Sequence, residues 1–297
     1  MRNTRVVLTA LGGPEVLKVI EDDIRDPGAN ELRIRILACG VAFADVLMRR
    51  GLYSGVPPLP YSPGYDIVGV VDSCGAGVSQ WKSGDLVAAL TLTGGYSRYI
   101  VLPEPELVRV PAGLDPAETV SLVLNYTTAY QLIHRIAQLR RGESVLIHGA
   151  AGGVGTAALQ LGSLVGLKMF GTASKPKHDL VTALGGIPID YRTEDFGQRA
   201  AGVDAVFDPI GGRKLAAVVS RTRQGRTVYR LWNVSGDRRR APKRDARRRK
   251  LRMARLGASP SRKIRTMVQH HDGEEETSRM VPRGSLAIAR HASGEID

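Results

Sequence analysis

Ser144-Val145-Leu146-Ile147-His148 runs directly into Gly149-Ala150-Ala151-Gly152-Gly153-Val154-Gly155, and a helix-like stretch, Val154–Val165, follows at once. Glycines at a strand-to-helix turn answer three physical needs: a tight turn, close approach of backbone to a diphosphate, and tight packing of the helix on its strand. The helix start then offers unpaired N–H groups and the positive end of its dipole to phosphate oxygens. A glycine cluster alone is weak evidence, because glycine-rich turns without ligands are common. Here it follows a β-branched strand and opens a helix within a βαβ unit, the context that the motif requires.

Downstream, strand and helix patterns alternate. Strands are read at Ser144–His148, Lys168–Thr172, Ile187–Asp190 and Val203–Asp208, with Arg226–Tyr229 as a fifth. Helices are read at Val154–Val165, Pro176–Leu184 and Arg213–Ser220. Strands separated by helices of about a dozen residues imply a parallel sheet with crossover connections.

The cofactor type is decided after the second strand. An NAD site would place an acid there, about 20 residues past the glycines, to hold the ribose hydroxyls. This chain instead has Thr172-Ala173-Ser174-Lys175-Pro176-Lys177, with no acid until Asp179. A hydroxyl and two lysines suit the 2′-phosphate of NADPH, since charge-assisted bonds to phosphate are the stronger class. Tyr191, just past the third strand, is placed to cover the same group; the alternative reading of both lysines is solvated surface charge.

Upstream the pattern is different. Glu31–Leu37 alternates polar and apolar residues, the period of a half-buried strand. Ile67-Val68-Gly69-Val70-Val71 is a β-branched run whose glycine marks a close backbone approach. Gly84–Ala89 and Tyr99–Leu102 add short strands, and a helix is read at Ala42–Arg50, ended by Gly51. Asp115-Pro116-Ala117-Glu118 has the residues of a helix start, with a helical stretch to about Leu139 broken near Asn125.

Composition narrows the function class. Of 297 residues, 42 are Lys or Arg and 29 Asp or Glu, a net charge of +13. Residues 1–220 are neutral, with 21 of each sign, so the whole excess lies in the last 77 residues. That is a neutral body with a basic tail. No apolar run reaches the roughly 20 residues of a membrane span, and the short Val6-Val7-Leu8 is no signal-peptide core. Cys39 and Cys74 have no metal-ligand spacing and read as free, buried thiols in a reducing cytoplasm.

Residues 1 to about 229 resemble the medium-chain dehydrogenase/reductase superfamily, and within it the zinc-free quinone oxidoreductase (zeta-crystallin-like) branch. The resemblance is carried by Cys39–Val46, Gly51-Leu52-Tyr53, Pro63–Val71, Gly94-Gly95-Tyr96-Ser97 and Asn125–Tyr130. It continues through the glycine turn, Asp190-Tyr191-Arg192 and Asp208-Pro209-Ile210-Gly211-Gly212. It implies an α/β fold: a doubly wound Rossmann sheet plus a β-rich GroES-like domain, with the substrate between them. The implied domains are 1–122 (GroES-like, catalytic) and 123–235 (Rossmann, NADPH-binding), with 236–297 a basic, disordered tail.

The implied chemistry is hydride transfer from NADPH to a small-molecule quinone or α,β-unsaturated carbonyl, rate coming from orientation and cofactor electronics. Zinc relatives would carry ligands at the positions of Ala42 and Tyr65 and a four-cysteine lobe after about Thr93; none is present, so no metal is expected. By resemblance, Asn125 and Thr127 contact the nicotinamide side and Tyr53 lines the substrate cleft. Ser174, Lys177 and Tyr191 hold the 2′-phosphate. Gly149, Ala151, Gly152, Gly153, Val154, Gly155 and Asp208 complete the cofactor set, and a homodimer is compatible. Ala42 departs from the Asn of many members, which removes an amide donor near the substrate and bears on whether a quinone is the specific acceptor. Tyr53 and Asp45 also read as a half-buried ring and a helix-end carboxylate, and His134 and His148 as packed structural residues.

Past Tyr229 the resemblance stops. Arg230-Leu231-Trp232-Asn233-Val234-Ser235 stands where the family has Gly-Phe-Gly-Thr-Ser, which codons for the same stretch encode when read one base later. One reading is therefore a frameshift at Tyr229/Arg230, leaving the sheet incomplete and the chain a non-catalytic remnant. Another is a basic tail that binds nucleic acid through its phosphates, although the tail lacks a nucleic-acid-binding motif.

Overall fold

A computed structural model describes residues 1–53, 55–210, 227–230 and 251–253. They fall into two units, one running to Thr127 and the other starting at Thr128.

The first unit begins with an antiparallel pair, β1 (Arg2–Leu8) and β2 (Leu17–Asp23). Its main sheet is built from β3 (Glu31–Cys39), β4 (Asp66–Cys74), β5 (Leu86–Leu90), β6 (Tyr99–Pro103) and β7 (Val108–Arg109). They are antiparallel in the order β6-β3-β4-β5-β7. The alternation in β3 has its expected consequence: Leu32 and Ile34 are buried, while Arg35 and Leu37 are exposed.

The unbroken apolar run of β4 has a different cause, because both of its faces are covered. Ile67 and Val71 pack with Leu32, Ile34 and Val87. Val68 packs on the other side with Leu90, Val120 and Val123. Gly69 is where the backbones crowd: a β-carbon there would stand 2.5 Å from the Arg35 carbonyl oxygen.

Two helices belong here. α1 (Phe43–Arg49) follows Ala42, whose N–H is taken by the Asp45 carboxylate one turn in, and the chain leaves through Gly51 at φ +68°. α2 (Pro116–Tyr130) starts as read, with the Glu118 N–H on Asp115 Oδ1 at 2.8 Å. The expected break at Asn125 is corrected. Asn usually disturbs a helix by competing for backbone groups, but Asn125 Nδ2 donates to the Ser121 carbonyl one turn back and is accommodated. The regular helix gives way later, in a wider π turn at Gln131–Ile136.

The cysteine expectation is also corrected, in that Cys74 is exposed and Cys39 half-buried. Cys74 is the last residue of β4, where the strand leaves the sheet.

The second unit holds β8 (Ser144–His148), α3 (Gly153–Val165), β9 (Lys168–Ala173), α4 (His178–Ala183), β10 (Gly186–Asp190), α5 (Phe196–Arg199), β11 (Ala205–Asp208), β12 (Thr227–Arg230) and β13 (Leu251–Met253). Its sheet is parallel throughout, in the order β10-β9-β8-β11-β12-β13. Counting strands within this unit, that is 3-2-1-4-5-6, the doubly wound dinucleotide order. Leu146, Ile189, Phe196 and Val206 form its buried core.

β13 adds a sixth strand within the stretch read as a basic, disordered tail. Val228–Arg230 pairs with Leu251–Met253. A three-residue strand is too short for alternation to register, and a basic run, 243–250, precedes it. The helix read at Arg213–Ser220, residues 231–235 and the rest of the basic tail lie outside the described residues, so neither reading of that tail is tested. No helix among the described residues is long and apolar enough to cross a membrane.

Candidate active site

The glycine turn joins β8 to α3 at the carboxyl end of the sheet. β8 has β9 on one side and β11 on the other, so the strand order reverses here, the place where open α/β sheets bind ligands.

Each glycine of the turn has a distinct physical duty. Gly149 adopts φ +68°, a left-handed conformation that side chains resist. Gly152 precedes α3 in extended backbone, with its N–H on the Gly149 carbonyl at 3.0 Å. A β-carbon on Gly155 would stand 2.3 Å from Gly149 O and 2.7 Å from the Ala150 carbonyl carbon. Ala150 and Ala151 are buried, while Gly152 and Gly153 are exposed at the head of α3. The result is a bare backbone cradle at a helix N-terminus, and it fits the diphosphate of a dinucleotide.

Thr172 holds the cradle in place, a role the sequence did not announce. Its hydroxyl lies 3.0 Å from His148 Nδ1 and 3.3 Å from the Gly149 N–H, and its carbonyl accepts from the Ala150 N–H at 3.0 Å. His148 is buried edge-on against Phe196, with ring centres 4.9 Å apart, so it is a packed residue as expected. Asp208, at the end of β11, is buried and turns Oδ1 onto the Ile210 N–H at 2.9 Å. This fixes the loop whose Pro209 Cγ comes 4.0 Å from the β-carbon position of Gly149.

The proposed phosphate-selecting residues sit one and two strands away. Ala173 and Asp190 are register partners on β9 and β10, which brings the segments starting at Ser174 and Tyr191 side by side. Lys175–Lys177 forms a single 3-10 turn with both lysines exposed, and neither has an ion-pair partner among the described residues. Tyr191 is exposed, and the Arg192 guanidinium lies 5.7 Å from its ring centre. Arg192 is thus a third cation at this edge, which the sequence reading left in a motif without a role.

In the first unit, a second group of polar side chains gathers around the end of α1 and the start of β4. Asp45 is buried and accepts from the N–H groups of Ala42 (2.8 Å) and Gly64 (3.2 Å) and from the Tyr96 hydroxyl (3.3 Å). Burial pushes its carboxyl above the usual range, against the pull of those three donors. It is therefore a helix-end carboxylate that also ties down the Gly64 turn.

Asp66 is more deeply placed, at 3% exposure. Its Oδ2 accepts from the Leu124 N–H at 3.1 Å, and Oδ1 has no partner among the described residues. Burial first, with the Asp45 charge adding to it, pushes the carboxyl up to about 7.

The Tyr53 hydroxyl meets the Tyr65 hydroxyl at 3.3 Å. Asn125 and Thr127 lie on α2 just past the Leu124 amide that Asp66 holds, while Tyr53 meets Tyr65, the residue before Asp66. Asn125 is half-buried and Thr127 buried, which makes Asn125 the more available of the two.

Comparison with known proteins places these features among oxidoreductases. The family model of the alcohol dehydrogenase GroES-like domain matches residues 28–112. The synaptic vesicle membrane protein VAT-1 homolog of Rattus norvegicus is 40% identical over 220 residues, covering 71% of this chain and 54% of that protein. The chain thus spans about half the length of the VAT-1 relatives it matches. The quinone oxidoreductase of Lama guanicoe is 34% identical over 240 residues, covering 77% of this chain and 72% of the relative. The crystal structure of Escherichia coli quinone oxidoreductase complexed with NADPH superposes with a TM-score of 0.74 at 30% identity, over 78% of this chain and 74% of that one.

Proposed function

Because the chain belongs to the quinone oxidoreductase branch of the medium-chain dehydrogenase/reductase superfamily, we propose that it is an NADPH-dependent reductase of quinones or α,β-unsaturated carbonyls, working without zinc. The observation that carries this reading is the Gly149–Gly155 cradle with the Ser174–Lys177 turn beside it. Bound NADPH supplies the hydride.

In this reading the chain's own residues bind and orient. The N–H groups at the head of α3 take the diphosphate. Ser174, Lys177 and Tyr191 take the 2′-phosphate, with Lys175 and Arg192 adding charge to the same edge. Asn125 and Thr127 are the residues assigned to the nicotinamide, and Tyr53 is assigned to the acceptor, giving a proton to the reduced product.

Zinc independence is supported by donor chemistry. Ala42 has no donor atom, and Tyr65 spends its hydroxyl on Tyr53. Among the described residues no three His, Cys, Asp or Glu side chains are grouped to hold a metal. Ala42 also leaves the acceptor site without an amide donor, which favours acceptors whose oxygen a tyrosine hydroxyl can meet.

The test is a steady-state assay of NADPH consumption with para-benzoquinone and with a linear enone, in the presence and absence of a chelator. Consumption matched by product and unchanged by the chelator is expected. No acceptor-dependent consumption with either compound would remove the proposal, and loss of rate on chelation would remove its zinc-free part.

A further inference from the structure

We propose that Tyr65 is a positioning residue for Tyr53: its hydroxyl, fixed on a rigid strand end, donates to the Tyr53 oxygen and so aims the Tyr53 proton at the acceptor. This rests on the reading of Tyr53 as the proton donor of the acceptor site.

The two tyrosines are mounted very differently. Tyr53 stands on the irregular segment between α1 and β4, two residues past the left-handed Gly51. Among the described residues, the Tyr65 hydroxyl is the one hydrogen-bond partner of its own hydroxyl. Tyr65, by contrast, is locked on both sides. Its carbonyl accepts from the N–H groups of Thr91 (2.9 Å) and Leu92 (3.2 Å). The preceding Gly64 donates its N–H to Asp45 and accepts the Thr91 hydroxyl at 2.7 Å. Gly64 has φ +104°, and a β-carbon there would meet the Tyr96 nitrogen at 2.5 Å, so this turn has little room to shift. Asp66, next along, opens β4 in register with Leu90. The Tyr65 ring packs on the cluster of Val68, Leu90 and Val123.

The direction of the hydrogen bond follows from the chemistry. If Tyr53 is to give its proton to the acceptor, its oxygen must be the recipient within the pair. Burial of Tyr65 first, then its contact with Tyr53, with the Asp45 and Asp66 charges adding less, opposes loss of the Tyr65 proton, so that hydroxyl stays protonated and able to donate. Hydride addition pushes an electron pair onto the acceptor oxygen. That oxygen takes the Tyr53 proton as the Tyr53 O–H bond breaks, and the Tyr65 hydroxyl stabilises the phenolate left behind until water returns the proton. The 3.3 Å separation suits a resting arrangement that tightens when an acceptor is in place.

Two readouts on the full chain test the proposal. With tyrosine labelled at the phenolic carbon, in the absence of cofactor, Tyr65→Phe is expected to move the Tyr53 resonance and Tyr53→Phe the Tyr65 resonance, with the rest of the spectrum unchanged. In turnover, Tyr65→Phe is expected to lower kcat about tenfold to a hundredfold with the KM for NADPH unchanged. Adding it to Tyr53→Phe should then cost nothing more, since partners in one interaction are not additive. Resonances that do not respond to each other, or a Tyr65→Phe protein with full kcat beside a slow Tyr53→Phe protein, would overturn the positioning role alone. A Tyr53→Phe protein with full kcat would overturn the reading of Tyr53 and this proposal with it.

Discussion

The carbonyl oxygen of Gly149 lies 2.3 Å from the point where a β-carbon on Gly155 would stand. The oxygen is backbone and a β-carbon is fixed in place by its own backbone, so neither can swing aside. Gly155→Ala is expected to lower unfolding stability by about 1–3 kcal/mol, the usual range for overpacking, and to abolish the added stability that NADPH confers. Urea unfolding with and without NADPH reads both effects; wild-type values in both would show that the turn does not need that glycine.

Lys177 is exposed and without an ion-pair partner among the described residues, beside Ser174 and one strand from Tyr191. If it holds a 2′-phosphate, Lys177→Ala should weaken NADPH binding about tenfold to a hundredfold, the worth of one charged hydrogen bond, and leave NADH binding unchanged. Fluorescence titration of both nucleotides measures this. An equal loss for both would assign Lys177 to general electrostatics.

Asp66 gives the chain a pH signature. Its carboxyl is pushed up to about 7 from an ordinary 3.8, chiefly by burial. Between those values the native state holds a proton that the unfolded chain has lost, so the contribution of Asp66 to stability is complete below about pH 4 and is lost as pH rises through about 7. A shift of roughly three units corresponds to about 4 kcal/mol, to order of magnitude. Asp66→Asn should flatten most of this decline, a remainder coming from Asp45, which burial raises in the same sense. Denaturant midpoints across that window compare the two proteins, and parallel curves would refute the assignment.

Asp115 takes the Glu118 N–H at the start of α2. Asp115→Ala should cost about 1 kcal/mol, as loss of a helix cap does, measured by urea unfolding, without changing nucleotide binding. An unchanged midpoint would show that water replaces the cap freely.

Much of this was legible in the sequence because the controlling interactions are local or periodic. The glycine turn, the alternation of β3, the Asp115 cap and the absence of an acid before Asp179 are all read within a few residues. What escaped depends on partners distant in the chain. Thr172 clamps a turn 23 residues earlier. Tyr65 meets Tyr53 across 12 residues, a spacing that no motif marks. Asn125 fits inside α2 because its amide has the Ser121 carbonyl as acceptor, a partner that exists only once the helix has formed. β13 leaves no trace in the sequence because three residues carry no period. Tyr65 stands in the sequence only as an absent zinc ligand, whereas the structure gives it a partner of its own.

If the Gly149–Gly155 cradle and its neighbouring lysines select NADPH, thermal unfolding of the full chain with NADPH and with NADH, each at the same concentration, separates the two nucleotides. A clear rise in the melting temperature with NADPH and little or none with NADH is expected. An equal rise with both nucleotides, or no rise with either, would contradict that selection.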